Sequence, residues 1–456
     1  MQNIVILSSM EFLFRFLPVF LIIYYIVPAR WRDAVMFLGS IVFYAMGDPV
    51  FVVLLLGMTI LNYLCGCIIY FDTRSGRNDR ERRIILIFSV VIDALVLTLF
   101  KVLAVAVNPS LLPIGLSFYI FKMIAYQADL YRGNIKRNMT FIRTAAYFTM
   151  FPQVTQGPIM RYSMGFSHFS RQVSLERFEN GLVCVVMGLG MKTLLADRLA
   201  ILWNEILKIG YDGMSTPLAW LGAYGYSFRL YYDFWGYSLI AAGIGVMLGY
   251  PFVENFIHPY AAKNIGDFYR RWHATLGSWF KDYIYIPLGG SRVGVWTTIR
   301  NLMVVWLVTG LWHGGTLNFV IWGLVLGAII VFEKFVLSRN ETVSAIVGRC
   351  NVLIVIPLTW VVFAISDLKM LGMYFARLFP FFGIGETVNP ADFLRELGMF
   401  WPYLLFSVVL LFPRVYQLAL RHRRNPIVLT LLTFVFWYSV YYIVNSSGNT
   451  FMYLNF

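Results

Sequence analysis

The stretch Asn301–Val325, NLMVVWLVTGLWHGGTLNFVIWGLV, is an apolar run of hydrocarbon-spanning length, interrupted in its middle by Trp312-His313-Gly314-Gly315. An ionisable side chain inside such a run is costly, so it faces protein or a wet cavity. The two glycines loosen the helix and let another backbone or a ligand come close. A neutral imidazole held there can take a proton from a hydroxyl near neutral pH. Two readings stand on this run alone: a histidine bonded to a neighbouring helix, and a general base.

The rest of the chain has the same character. Apolar residues make up 59% of it and charged residues 13%, with a mean hydropathy of +0.69. Apolar stretches recur from end to end between short polar knots. This composition predicts one all-α polytopic membrane domain over residues 1–456, with roughly eleven membrane-embedded helices, some of them amphipathic or re-entrant. The net charge of +14 does not imply a nucleic-acid partner. The basic residues sit in the knots, as expected of cytoplasmic loops beside an anionic leaflet, so the bilayer itself is the partner. Cys65 and Cys67 point to different helix faces, and no cluster of residues suits a metal.

In chain order, Phe12–Pro28 reads as a retained span, Ala34–Met46 as a short second segment and Val50–Phe71 as a third. Ile84–Val107 and Leu111–Leu130 follow. Arg74, Arg77, Arg80, Arg82 and Arg83 form a basic knot, as do Arg132, Lys136, Arg137 and Arg143. Pro152, Gly157, Pro158 and Arg161 mark Ala146–Phe166 as a re-entrant or broken helix. Ser174–Leu207 reads as a helix with acidic residues in its first turn. Leu218–Leu248 reads as a span in which Arg229 and Asp233, four apart, neutralise each other. Ile427–Val444 is the last span.

Ile265–Pro287, IGDFYRRWHATLGSWFKDYIYIP, is of another kind. At about 100° per residue, Phe268, Trp272, Leu276 and Trp279 share one stripe. Asp267, Arg270, Arg271, Ser278, Lys281 and Asp282 share the opposite arc, with His273 at the border. The pattern predicts an amphipathic helix over Ile265–Tyr283 at the cytoplasmic face, serving either as an interfacial anchor or as the lining of a funnel. Leu288-Gly289-Gly290-Ser291-Arg292 reads as a tight turn, whose N–H groups and Arg292 could also hold an anion.

DFYRRWHATLGSWFKDYIYIPLGGSR followed by GLWHGGTLNFVIWG resembles the signature of the membrane-bound O-acyltransferase family, in its bacterial branch with the alginate O-acetylation subunit. LPIGLSFYIF (112–121), FPQVTQGPIMR (151–161), LYYDFWGYS (230–238), ENFIHPY (254–260), SSMEFLFRFLPVFLIIYY near the start and FMYLNF at the end extend the resemblance along nearly the whole chain. It implies a helical bundle around a central tunnel, with His313 as the catalytic histidine and His273 in a supporting role near the same tunnel. Lys281 stands where the family usually has Arg, and Tyr269 where it has Trp. Trp235 and Leu239 stand where alginate-type members have Ser and Asp. The D-alanylating branch shares the leucine but usually lacks the LGGSR turn, so the acyl acceptor stays open.

Residues and resemblance together predict an O-acyltransferase of the bacterial cytoplasmic (inner) membrane. The donor is a cytoplasmic acyl thioester, acetyl-CoA or an acylated carrier protein, drawn in by the basic loops. His313 deprotonates the acceptor hydroxyl, and His273 orients the donor or donates to the oxyanion. Trp312, Asp267, Arg270, Arg271, Trp272, Lys281 and Asp282 are the expected substrate contacts. No bound cofactor is needed. The expected acceptor is an extracytoplasmic glycan, reached directly or through an SGNH-type acetyltransferase partner, with D-alanyl transfer to teichoic acid as the alternative. A lipid or acyl-substrate transporter would show paired broken helices in matching halves, which the sequence lacks. A membrane glycosyltransferase would need an acidic cluster stronger than Asp267 with Asp282.

Basic and neutral knots alternate so as to place both termini outside. In a cysteine-free background, Asn3→Cys and Asn449→Cys should be labelled on intact cells by an impermeant thiol reagent, and Ser75→Cys only after lysis. Labelling of Ser75→Cys from outside would overturn this topology.

Overall fold

A computed structural model of the chain describes residues 6–75, 79–135, 140–167, 173–381 and 387–445. Asn3 and Asn449, which anchor the expected topology, lie outside them. All regular structure among the described residues is helical. Among the described residues, seven helical segments are long and apolar enough to cross a membrane: Val52–Tyr70, Asp79–Ala106, Pro109–Tyr131, Leu317–Arg339, Glu341–Ala364, Asp392–Leu410 and Pro426–Asn445. Their outer side chains are left uncovered, as with Leu95, Ile427, Leu431 and Phe434. For a helix whose solvent is lipid, such exposure carries no penalty. The protein is an integral membrane protein of the all-α class.

The chain forms two compact units, each assembled from separate stretches. The first comprises Met1–Gly188, Tyr237–Glu254 and Ile443–Asn455, and the second Leu189–Gly236 and Asn255–Tyr442. In the first unit, Val52–Ser75, Asp79–Ala106 and Leu116–Tyr131 are tied by a buried polar chain. Asn62 Nδ2 donates to Asp93 Oδ1 at 2.8 Å, and Gln127 Nε2 donates to Asn62 O at 2.7 Å and Oδ1 at 3.0 Å. Polar groups that pair away from lipid hold membrane helices together where hydrophobicity alone cannot. The break expected between Ala146 and Phe166 is present. The helix Phe141–Thr149 stops at Met150, a single turn Phe151–Val154 follows, and the backbone then runs irregularly past Gly157. Every residue from Thr144 to Met160 is buried, the condition under which a non-helical backbone is tolerated at membrane depth.

Two expectations for the second unit need correction. Asp233 is not neutralised by Arg229 one turn away. Its partner is Lys192, whose Nζ lies 2.9 Å from Asp233 Oδ1 and 2.5 Å from Asp197 Oδ1. Lys192 sits in a π-helical stretch, Met191–Ala196, and is buried there. The Arg229 guanidinium instead lies 5.8 Å from the centre of the Tyr226 ring. An i,i+4 spacing cannot foresee a cation supplied by another helix.

The second correction concerns Asn301–Val325, which is not one span with a broken centre. Val295–His313 is a helix that ends at Gly314, and Leu317–Phe335 packs back against it as a hairpin. His313 is therefore the last helical residue before the turn rather than the middle of a span. Glycines make the hairpin tight. A Cβ on Gly310 would lie 2.5 Å from the Phe319 carbonyl oxygen, and one on Gly323 would lie 2.4 Å from that of Trp306. Both contacts are to backbone, so a side chain must push the helices apart.

Gly310→Leu and Gly323→Leu should therefore lower the yield of folded protein and its thermal midpoint in detergent. Gly57→Ala, placed where a Cβ meets nothing within 4 Å, should change neither. Equal stability of Gly323→Leu and the parent protein would show that the close approach is dispensable.

Candidate active site

Both nominated histidines belong to the second unit. The expected amphipathic helix around His273 is interrupted: Ile265–Arg271 is helical, Trp272 is extended, and Ala274–Phe280 begins a second helix. His273 itself is left-handed, with φ 45° and ψ 51°. A non-glycine residue in that region is strained and persists only where its surroundings fix it. Here the freed backbone groups return to the segment after Glu254. Ile257 N donates to Arg271 O at 3.0 Å, and Ala274 N to Asn255 O at 2.9 Å. The apolar stripe is nonetheless buried as expected, in Phe268, Trp272, Leu276 and Trp279. His273 is buried rather than at the border, because the kink turns it inward.

The charged residues nominated beside it divide. Asp267 is tied to Arg271 Nε at 3.0 Å and Arg270 Nη2 at 3.4 Å. Burial raises the Asp267 carboxyl, but Arg271, the Lys263 N–H and Arg270 outweigh it and hold the group below the usual carboxylate range. Arg270 and Lys281 are exposed, whereas Arg271 and Asp282 are partly covered. Leu288–Arg292 is a turn with Gly289 at φ 108° and Gly290 at φ 59°. Asn301 Nδ2 clamps it by donating to Leu288 O at 3.1 Å and Gly290 O at 3.0 Å.

The His273 ring meets Phe234 edge to face at 4.7 Å. Burial pushes its imidazole down to about 3, so it is neutral at physiological pH. His313 lies against Trp322 at 5.1 Å and Phe363 at 5.2 Å, both nearly perpendicular, with Trp312 at 4.5 Å. One run of rings joins the two neighbourhoods. Trp322 stacks on Trp360 at 5.8 Å, and Trp360 meets Trp272, the residue before His273, at 4.8 Å. Two histidines forty residues apart in sequence thus share one aromatic cluster. Such a wall excludes water and strengthens any electrostatic interaction inside it.

Several residues that build this site were not nominated from sequence. Asn255 and Phe234 lie in the quoted motifs ENFIHPY and LYYDFWGYS, which made them visible without a role. Trp322 likewise lies in the quoted motif GLWHGGTLNFVIWG, and Trp360 and Phe363 lie in a stretch to which the sequence assigned no role. Glu333 is the least expected. It is buried at the far end of the hairpin, and its Oε1 and Oε2 accept from Ile265 N at 3.1 Å and Gly266 N at 3.2 Å. Asn351 Nδ2 adds a third bond at 3.1 Å. A carboxylate at a helix N-terminus satisfies donors that have no partner within the helix. Its only trace in sequence is a lone acid closing an apolar run.

Replacing Glu333 with Ala should leave those donors unmet, at about 1–3 kcal/mol for each one that stays buried. The thermal midpoint should fall, and acyl transfer should drop further than the loss of folded protein explains. A Glu333→Ala protein with parental stability and activity would show that the segment holds itself.

Comparison with known proteins gives this geometry its context. Residues 130–376 match the MBOAT, membrane-bound O-acyltransferase family. The chain is 34% identical over 395 residues to the probable alginate O-acetylase AlgI of Pseudomonas syringae, covering 82% of this chain and 75% of that protein. It is 29% identical over 419 residues to the peptidoglycan O-acetyltransferase of Helicobacter pylori, covering 80% and 78%. Against the teichoic acid D-alanyltransferase of Bacillus subtilis the figures are 27% over 245 residues, 50% and 60%. Both histidines lie inside the matched region, on one aromatic cluster of an all-α membrane protein; the chain belongs to the membrane-bound O-acyltransferase family and is an O-acyltransferase.

Proposed function

We propose that the protein transfers an acyl group, most simply acetyl, from a thioester donor toward a hydroxyl of a cell-envelope polysaccharide, with His313 as general base. The observation that carries the choice of acetyl is the extent of similarity. Relatives named for O-acetylation of alginate and of peptidoglycan align along about four-fifths of the chain, and the D-alanyl-transferring relative along half. D-alanyl transfer to teichoic acid from a carrier protein is the second reading, favoured by that shorter match. Acetyl-CoA or an acylated carrier protein serves as donor on the cytoplasmic side of the bacterial inner membrane, with both termini outside. An extracytoplasmic SGNH-type acetyltransferase or the glycan itself receives the group.

In the chemical step, the acceptor oxygen attacks the thioester carbonyl and its proton passes to the His313 imidazole. The tetrahedral intermediate collapses with cleavage of the C–S bond, and the proton moves on to the departing thiolate. A base acts through its neutral imidazole, and His313 is buried against Trp322 and Phe363. Arg270, Arg271 and Lys281 offer positive charge for an anionic donor, and Asp267 keeps Arg271 in place. Trp312 and Trp272 flank the two histidines as apolar substrate contacts, with Asp282 at the rim.

The test is transfer of labelled acetyl to envelope glycan in cells carrying His313→Ala or His313→Gln at parental expression. Loss of a positioned base should lower the rate by about 10²–10⁴-fold. Parental transfer in either strain would defeat the assignment. Label incorporated from D-alanine and not from acetate would select the second reading. Unchanged esterification in a strain lacking the protein would defeat the acyl-transfer role altogether.

A further inference from the structure

We infer that Asn255 is a positioning residue that locks His273 in the Nδ1–H tautomer, so that His273 meets the substrate through Nε2 as a hydrogen-bond acceptor and never as an oxyanion donor. The argument is one of donors and acceptors. Asn255 Oδ1 lies 2.9 Å from His273 Nδ1, 2.7 Å from Thr275 Oγ1 and 3.4 Å from the Thr275 backbone nitrogen. A backbone N–H can only donate, so the amide atom facing it is the oxygen and not the NH₂ group. The His273 nitrogen directed at that same oxygen must then carry a proton. A neutral imidazole has one N–H, which leaves Nε2 with its lone pair.

The surroundings hold this arrangement. His273, Asn255 and Thr275 are all buried. Ala274 N donates to the Asn255 carbonyl, so side chain and backbone of one residue grip both sides of the left-handed turn. Burial disfavours the doubly protonated ring, as the depressed pKa of His273 reflects. A ring so fixed offers Nε2 only as an acceptor, the role that a substrate hydroxyl or an amide N–H of the donor's pantetheine arm would complement. This assignment rests on the acyl-transfer reading for its use, but the tautomer itself does not.

The experiment has a spectroscopic and a kinetic arm. Full-length protein labelled with ¹⁵N-histidine is compared with the His273→Ala protein to identify the His273 ring signals. The expected result is a protonated, pyrrole-type Nδ1 and an unprotonated, pyridine-type Nε2. Asn255→Leu should mix or invert the tautomers, whereas Asn255→Asp, which keeps an acceptor oxygen, should retain the Nδ1–H form. With acetyl-CoA as the probe donor, Asn255→Leu should lower kcat about 10²-fold or more with little change in KM, because a misplaced ring proton removes function without removing binding. Asn255→Asp should recover part of that loss. An Nε2–H tautomer in the parent protein would overturn the inference, as would an unaltered tautomer and kcat in Asn255→Leu. If Asn255→Leu does not fold, the parent spectrum and the Asn255→Asp comparison still decide the matter. A failed acyl-transfer reading would silence the kinetic arm in every variant, parent included, and leave the tautomer measurement standing.

Discussion

Between Arg271 and Ala274 the backbone leaves helical geometry, and the candidate site depends on how that break is held. An amphipathic helix running unbroken from Ile265 to Tyr283 would keep His273 at its border. The left-handed turn at His273 swings the imidazole inward, and two backbone bonds to the 255–257 segment meet the groups the break exposes. A buried break without those bonds would leave orphaned N–H and C=O groups, a cost that few folds tolerate. Glu333 completes the support from the other end by capping Ile265 and Gly266. The segment is thus fixed at its start and at its kink, and between them Arg270 stays exposed.

The hairpin Val295–Phe335 is the second half of the construction. Gly310 and Gly323 let its helices approach until backbone meets backbone, which sets His313 at the turn against Trp322. Trp322 and Trp360 then reach the ring of Trp272. The same hairpin carries Glu333 eighteen residues beyond Gly315, so it both presents one histidine and secures the segment bearing the other. Changes in its packing should reach both histidines together.

Several buried ionisable groups are paired or hydrogen-bonded. Lys192 lies between Asp197 and Asp233, and Asp93 is bonded by Asn62, itself held by Gln127. In hydrocarbon surroundings an isolated ion is so costly that pairing is a condition of folding. Arg270 and Lys281, by contrast, are left exposed.

The amino-acid sequence by itself determined the class of protein, the spans Val52–Tyr70, Asp79–Ala106, Pro109–Tyr131 and Pro426–Asn445 to within a few residues, the broken segment before Phe166 and the buried stripe Phe268–Trp279. These follow from local composition and periodicity, which act over one or two turns and survive whatever the rest of the chain does. Only the tertiary structure decided that Trp312-His313-Gly314-Gly315 is the turn of a hairpin, that Lys192 rather than Arg229 answers Asp233, that Glu333 caps a helix 68 residues before it, and that Asn255 grips His273. Each is a pairing between residues distant in sequence, chosen because a buried donor, acceptor or charge must find a partner in space. A run of apolar residues states that such a group will be expensive, but it does not name the group that will meet it.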